Sequence, residues 1–278
     1  MESGNQKGRT NPADWKIATS WGLRSEFSPA DMKASGLSGV ELVLEYRNLE
    51  EIPSDEKRQS YEKAVQEIND QQLELWSIHL PFTRELDISV TDPVHRRAVI
   101  EAQAELLRMA APWGARHAVI HPSYEPIPEE EREARIAACR EALRELSTIA
   151  ASVGIKLAAE CLPRTCLANN SEELLRILED APECGICCDV NHLYQETPES
   201  FIRKMGNRLT TVHMSDFDGI DEKHWMPGKG VIQWQEVLDA LASIGYDGPF
   251  LFEVFPADPE SLAACYNELL DGYNRRNK

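Results

Sequence analysis

Short runs of apolar residues recur along the chain and alternate with longer amphipathic stretches. The runs fall at residues 16–21 (KIATSW), 40–45 (VELVLE), 73–79 (LELWSIH), 117–121 (HAVIH), 155–161 (IKLAAEC), 185–189 (GICCD), 209–214 (LTTVHM) and 250–254 (FLFEV). They are rich in β-branched and large apolar types, as strands buried on both faces of a parallel sheet require. Helix signals lie between them. Asp92 ahead of Pro93 predicts a capped helix reaching about Ala111. Pro128 followed by three glutamates predicts a second helix running to about Val153, with acid at the positive end of its dipole. Shorter helices are expected from Ser171 to near Asp180 and from Trp234 to Ile244, the latter stopped by Gly245. Eight strand–helix units in one chain predict an α/β fold, a single (β/α)₈ TIM barrel over residues 15–278. Residues 1–14, polar throughout, are expected to form a flexible N-terminal tail.

Six of these apolar runs close on ionisable residues: His79, His121, Glu160, Asp189, His213 and Glu253. All six fall at the C-terminal strand ends, the face on which such barrels build their sites. Residues two apart in a strand point the same way. Glu160 thus shares the barrel interior with Ala158, Asp189 with Cys187, His213 with Thr211, and Glu253 with Leu251. One histidine or one carboxylate at a strand end is ordinarily a hydrogen-bonded structural residue. Three carboxylates converging on one mouth are costly without a cation, and a divalent ion takes oxygen and imidazole ligands together. Glu160, Asp189, His213 and Glu253 are therefore the expected metal ligands, with His79 and His121 as further ligands or substrate contacts.

Composition narrows the setting. The 278 residues carry 47 acidic against 29 basic side chains, a net charge of −18 that repels phosphate backbones and counts against a nucleic-acid partner. No apolar run approaches the roughly 18 residues of a membrane span, and the polar N-terminus has no secretory character, so a cytoplasmic protein is expected. Seven cysteines, two of them adjacent, make a poor disulfide framework and read as buried thiols.

With these residues in place, the chain resembles the xylose isomerase-like TIM barrel superfamily, which includes sugar phosphate isomerases and epimerases and type-IV apurinic endonucleases. The likeness is carried by AVIHP (118–122), AAEC (158–161), CDVNH (188–192), VHMSDFDGIDEKHWMPGKGVIQW (212–234) and GYDGPFLFEV (245–254). It implies one divalent ion, Mn²⁺ favoured and Zn²⁺, Mg²⁺ or Co²⁺ alternatives, on Glu160, Asp189, His213 and Glu253. It further implies that Glu160 and Glu253 are the catalytic pair of an isomerase or epimerase, passing a proton through a metal-stabilised enediolate. His192 is then a contact to substrate or to a secondary metal. Ketose 3-epimerases of the superfamily have an arginine a short way beyond the metal histidine, where this chain has Gly219. Arg164 and Lys229 are the basic candidates for substrate contact, and Trp21 and Trp225 the favoured stacking surfaces ahead of Phe82. Trp113 reads as packing. The expected partner is a small carbohydrate, with no membrane, and a homo-oligomer stays open.

Three other readings share this site. A lyase or dehydratase acting on a keto-sugar or keto-inositol would begin with the same proton abstraction. An apurinic endonuclease would use His79, His121, His192, His213 and His224 with the carboxylates to hold three zinc ions, although Glu222-Lys223-His224 replaces the usual D-x-H. A sugar-binding barrel without activity would not need all four ligands.

Overall fold

The computed structural model describes residues 8–52 and 54–277. Eight parallel strands run in order around the barrel: β1 Ile17–Trp21, β2 Gly39–Val43, β3 Glu74–His79, β4 His117–Ile120, β5 Lys156–Glu160, β6 Gly185–Asp189, β7 Leu209–His213 and β8 Phe250–Phe252. β1 pairs with both β2 and β8, and a parallel bridge between Met214 and Phe252 closes the remaining seam. The helices that return the chain are α1 Pro29–Ala34, α2 Asp55–Asp70, α3 Pro93–Ala110, α4 Arg132–Ser152, α5 Ser171–Ile177, α6 Pro198–Met205, α7 Trp234–Ser243 and α8 Pro259–Arg276.

The helix starts follow from local chemistry. The Asp92 carboxylate accepts from the His95 amide at 2.7 Å, leaving Pro93 where a missing N–H costs nothing. Ser28 and Asp31 satisfy each other's amides in a capping box at α1. The three glutamates after Pro128 form a 3₁₀ turn before α4 begins at Arg132, so that helix starts later than the sequence pattern suggests.

Strand parity divides the core in two. Val40, Leu42, Ile78 and Ile186 belong to the large shell between sheet and helices, whereas Val119, Ala158 and Cys187 form a small plug inside the barrel. All seven cysteines are buried and free. Residues 1–7 of the expected tail lie outside the described residues. Residues 9–12 make contacts with the barrel. Arg9 reaches Asp239 at 2.5 Å and the Tyr273 hydroxyl, Thr10 donates to the Tyr246 carbonyl, and Pro12–Asp14 form a 3₁₀ turn under buried Trp15. Among the described residues, no helix is long and apolar enough to cross a membrane.

Candidate metal centre

Glu160, Asp189 and His213 are the last residues of β5, β6 and β7, and Glu253 stands one residue beyond β8. Register places Asp189 beside His213, and alternation turns all four inward. His213 Nδ1 lies 3.4 Å from Glu160 Oε1, 3.2 Å from Glu253 Oε2 and 3.9 Å from Asp189 Oδ2. Donor atoms of these four residues lie within 4.8 Å of one another. Asp189 Oδ2 and Glu253 Oε2 are buried without a hydrogen-bond partner. Orphaned carboxylate oxygens aimed at one focus are what a divalent cation would satisfy, so the residues present fit such an ion.

Two further donor sets flank this one. His79 and His121 each bring Nε2 to 3.2 Å from Glu160 Oε2. On the other side, Glu222 Oε1 stands 2.8 Å from His224 Nε2 and 3.5 Å from His192 Nε2, and His192 Nε2 is also 3.5 Å from Asp189 Oδ2. Each flanking trio could itself hold an ion.

Backbone carbonyls set several of the rings. A carbonyl oxygen only accepts, so the nitrogen facing it carries a proton. His79 Nδ1 donates to the Leu80 carbonyl at 2.9 Å, His192 Nδ1 to that of Cys161 at 3.0 Å and His224 Nδ1 to that of Glu253 at 3.0 Å. In all three rings Nε2 is left to face the carboxylates.

The charges are strongly coupled. Burial alone would raise the Glu160 carboxyl, but His213, His121 and His192 outweigh it and hold it well below the usual range. Glu253 follows the same pattern, burial being overcome by His213 and His224. Asp189 goes the other way: burial, partly offset by His192 and reinforced by the Glu253 charge, pushes it up to about 7. Burial depresses the His224 imidazole, yet Glu222 and Glu253 bring it up to about 9.

The long β7–α7 loop that delivers Glu222 and His224 is organised by Asp216. Its buried carboxylate accepts from the amides of Phe217, Gly228 and Ile232 and from Trp234 Nε1. Gly230 is required beside it, because a Cβ there would collide with the Phe217 carbonyl oxygen and the Asp216 carboxylate. This accounts physically for the spacing from S-D through P-G-K-G to the start of α7.

A cavity of about 350 Å³ opens above the ligands, walled by Val43, Phe82, Tyr124, Leu162 and Phe255. Phe82 stacks on His121 with ring centroids 3.8 Å apart. Arg164 also lines the cavity, but its guanidinium is engaged by Glu125, by Asp221 at 2.9 Å and by Glu222 at 3.0 Å. It ties the β5–α5 loop to the loop bearing Glu222. Trp21 lies in an adjoining cavity, with its indole N–H bonded to the Phe27 carbonyl. Trp225 is half-exposed and pairs its backbone with Asp216, outside the cavity wall. Lys229 is not brought to the metal-site cavity: the turn held by Asp216 points it to a separate one against α8. Trp113 packs on Tyr61 in the shell, and Gly219 sits at a positive φ of 79° in the β7–α7 loop.

Sequence reasoning passed over one group in this layer of the barrel. Glu41, inside β2, is fully buried with Oε1 2.9 Å from His213 Nε2. Its signal was available: an ionisable residue at interior parity in a strand otherwise free of charge.

A parallel barrel with its polar groups gathered at the C-terminal strand ends defines the class. The chain belongs to the xylose isomerase-like TIM barrel family, whose model matches residues 29–269. An uncharacterised protein of Methanocaldococcus jannaschii is 31% identical over 185 residues, 63% of each chain. The ketose 3-epimerase of Arthrobacter globiformis is 30% identical over 61% of this chain and 60% of its own. The chain thus spans about three fifths of the length of these relatives. The crystal structure of a D-tagatose 3-epimerase-like protein superposes with a TM-score of 0.78 at 25% identity, covering 95% of this chain and all 100% of that one.

Proposed function

We propose that this chain is a divalent-metal-dependent sugar isomerase or epimerase that moves a proton at a carbon next to a carbonyl. The observation that carries the reading is the convergence of Glu160, Asp189, His213 and Glu253 with two buried carboxylate oxygens left unpartnered. Similarity to a ketose 3-epimerase and to a D-tagatose 3-epimerase-like protein supports the substrate class.

An ion bound by the four residues would supply Lewis-acid polarisation of a substrate carbonyl and its neighbouring hydroxyl, acidifying the C–H between them. The remaining work falls to the chain. Glu160 and Glu253, each held ionised by its histidines, are competent to take a proton at neutral pH and return it. They belong to β5 and to the end of β8, so they reach a bound carbon from different sides of the mouth. Asp189 and His213 serve the ion. Phe82 and Phe255 give the cavity an apolar wall, while Arg164 ties the Glu222 loop to it.

The test is solvent deuterium exchange into ketoses, keto-inositols and their phosphates by the metal-loaded protein. Deuterium in a recovered epimer is the expected result; an absorbing conjugated product would assign a lyase instead. The flanking His79–His121–Glu160 and His192–Glu222–His224 sets favour a second reading, a three-zinc apurinic endonuclease. The net charge of −18 opposes it, and cleavage of abasic-site DNA with Zn²⁺ added would establish it.

A further inference from the structure

The layer below the metal-site mouth contains a carboxylate that the fold does not need. Barrel interiors at this depth are filled with apolar or small side chains, and the neighbouring interior positions Val119, Ala158 and Cys187 conform. Glu41 does not conform. It is fully buried, and register sets it in a row with Ser20 of β1 and Ser77 of β3. Ser77 Oγ donates to Glu41 Oε2 at 2.7 Å, which fixes the carboxylate and turns its other oxygen toward His213. A buried charge with one hydroxyl donor is expensive to keep unless it serves something.

That something is the far side of His213. Nδ1 of this ring faces Glu160, Asp189 and Glu253, so its lone pair must be presented to a bound cation and Nε2 must carry the proton. His79, His192 and His224 each have one ring nitrogen held by a backbone carbonyl. His213 has none. Its Nε2 and Glu41 Oε1 lie 2.9 Å apart, off the axis of a straight hydrogen bond, and neither atom has another partner among the described residues. Cys187 also lies close to this imidazole, but sulfur is a weak acceptor beside a carboxylate oxygen.

We propose that Glu41 is the positioning residue for His213: a small rotation of the 2.9 Å pair brings the Nε2–H into line with Glu41 Oε1, which fixes the tautomer and so directs Nδ1 at the metal. The inference rests on the metal-site reading above. Glu41, His79 and His213 also lie close enough to share an ion of their own. Such an ion would face Nε2 and would take His213 out of the four-residue set. Carboxylates behind metal-bound histidines typically strengthen metal binding by about 10–100-fold.

The test is binding of Mn²⁺ alone, followed by the electron paramagnetic resonance signal of the free ion. Alongside it, the visible spectrum of the Co²⁺-loaded protein reports ligand geometry. Glu41→Ala is expected to weaken Mn²⁺ about 10–100-fold and shift the Co²⁺ bands. Glu41→Gln keeps a carbonyl acceptor and should remain within a few-fold of wild type. Ser77→Ala, which frees the carboxylate without removing it, should fall between, and thermal melts of the metal-free variants separate weak binding from misfolding. Unchanged affinity in Glu41→Ala overturns the proposal. So does an equal loss in the Ala and Gln variants, which would make charge rather than hydrogen-bond acceptance the cause. A wild-type protein that binds no ion overturns the metal-site reading together with it, so the two failures are distinguishable.

Discussion

The two ends of this barrel are built from the same eight strands and do opposite things with charge. At the N-terminal end, Glu74 lies between Lys16 at 2.5 Å and Arg116 at 2.8 Å, each partner reaching toward solvent. The histidine there, His117, packs against Trp76 with ring centroids 4.7 Å apart. At the C-terminal end, Glu160, Asp189 and Glu253 are drawn together out of water, and two of their oxygens are left unpaired. The lower end sets its carboxylate between opposite charges, although Glu74 Oε1 and His117 Nδ1 are buried without an aligned hydrogen bond. The upper end concentrates carboxylates and histidines at a cost in stability that binding of a cation would relieve.

Substitutions should separate the two ends. The largest effect is expected at the mouth, where Glu160→Gln or Glu253→Gln should slow proton exchange by about 10²–10⁴-fold. Thermal melts should show the fold intact. If either variant exchanged at the wild-type rate, the pair would lose its role. Next comes Asp216→Ala, which strands three buried N–H donors and a part-buried one and should cost about 4 kcal/mol in chemical denaturation.

At the lower end the expected effect depends on pH. Burial lowers the His117 pKa from 6.5 to about 4, with Lys156 and Arg116 adding to the shift. The unfolded chain therefore takes up a proton between those values that the folded chain refuses, and stability is lost as pH falls from about 6.5 to about 4. The upper bound is about 3 kcal/mol, and His117→Gln should flatten the slope in urea titrations across that window. The smallest effect belongs to Lys16→Ala. The Lys16 side chain is half-exposed, so the change should stay within about 1 kcal/mol.

How much of this was legible in the sequence depended on how far each feature rests on periodicity. Apolar alternation located all eight strands with their ends nearly right, because burial on both faces leaves a strong signal. Parity then turned Glu160, Asp189, His213 and Glu253 inward, and the structure brings them to one focus. Glu41 went unread because it sits mid-strand between Val40 and Leu42, which face the helical shell. Attention to strand ends alone passes over a charge one layer down. Loop residues were the least legible. Lys229 and Trp225 were expected near the substrate, but the Asp216 hub folds their loop so that neither lines the cavity. Arg164 reaches the cavity only to be engaged by carboxylates from another loop. No local pattern encodes such long-range pairing.

The central claim, that the carboxylates at the mouth are gathered for a cation, is tested most directly by elemental analysis. Wild-type protein and Asp189→Asn, purified in parallel and dialysed against Mn²⁺ and then metal-free buffer, are the samples to compare. At least one tightly held divalent ion per wild-type chain is expected, and its loss from Asp189→Asn. A folded wild-type protein without bound metal, or a variant that keeps its full complement, would contradict it.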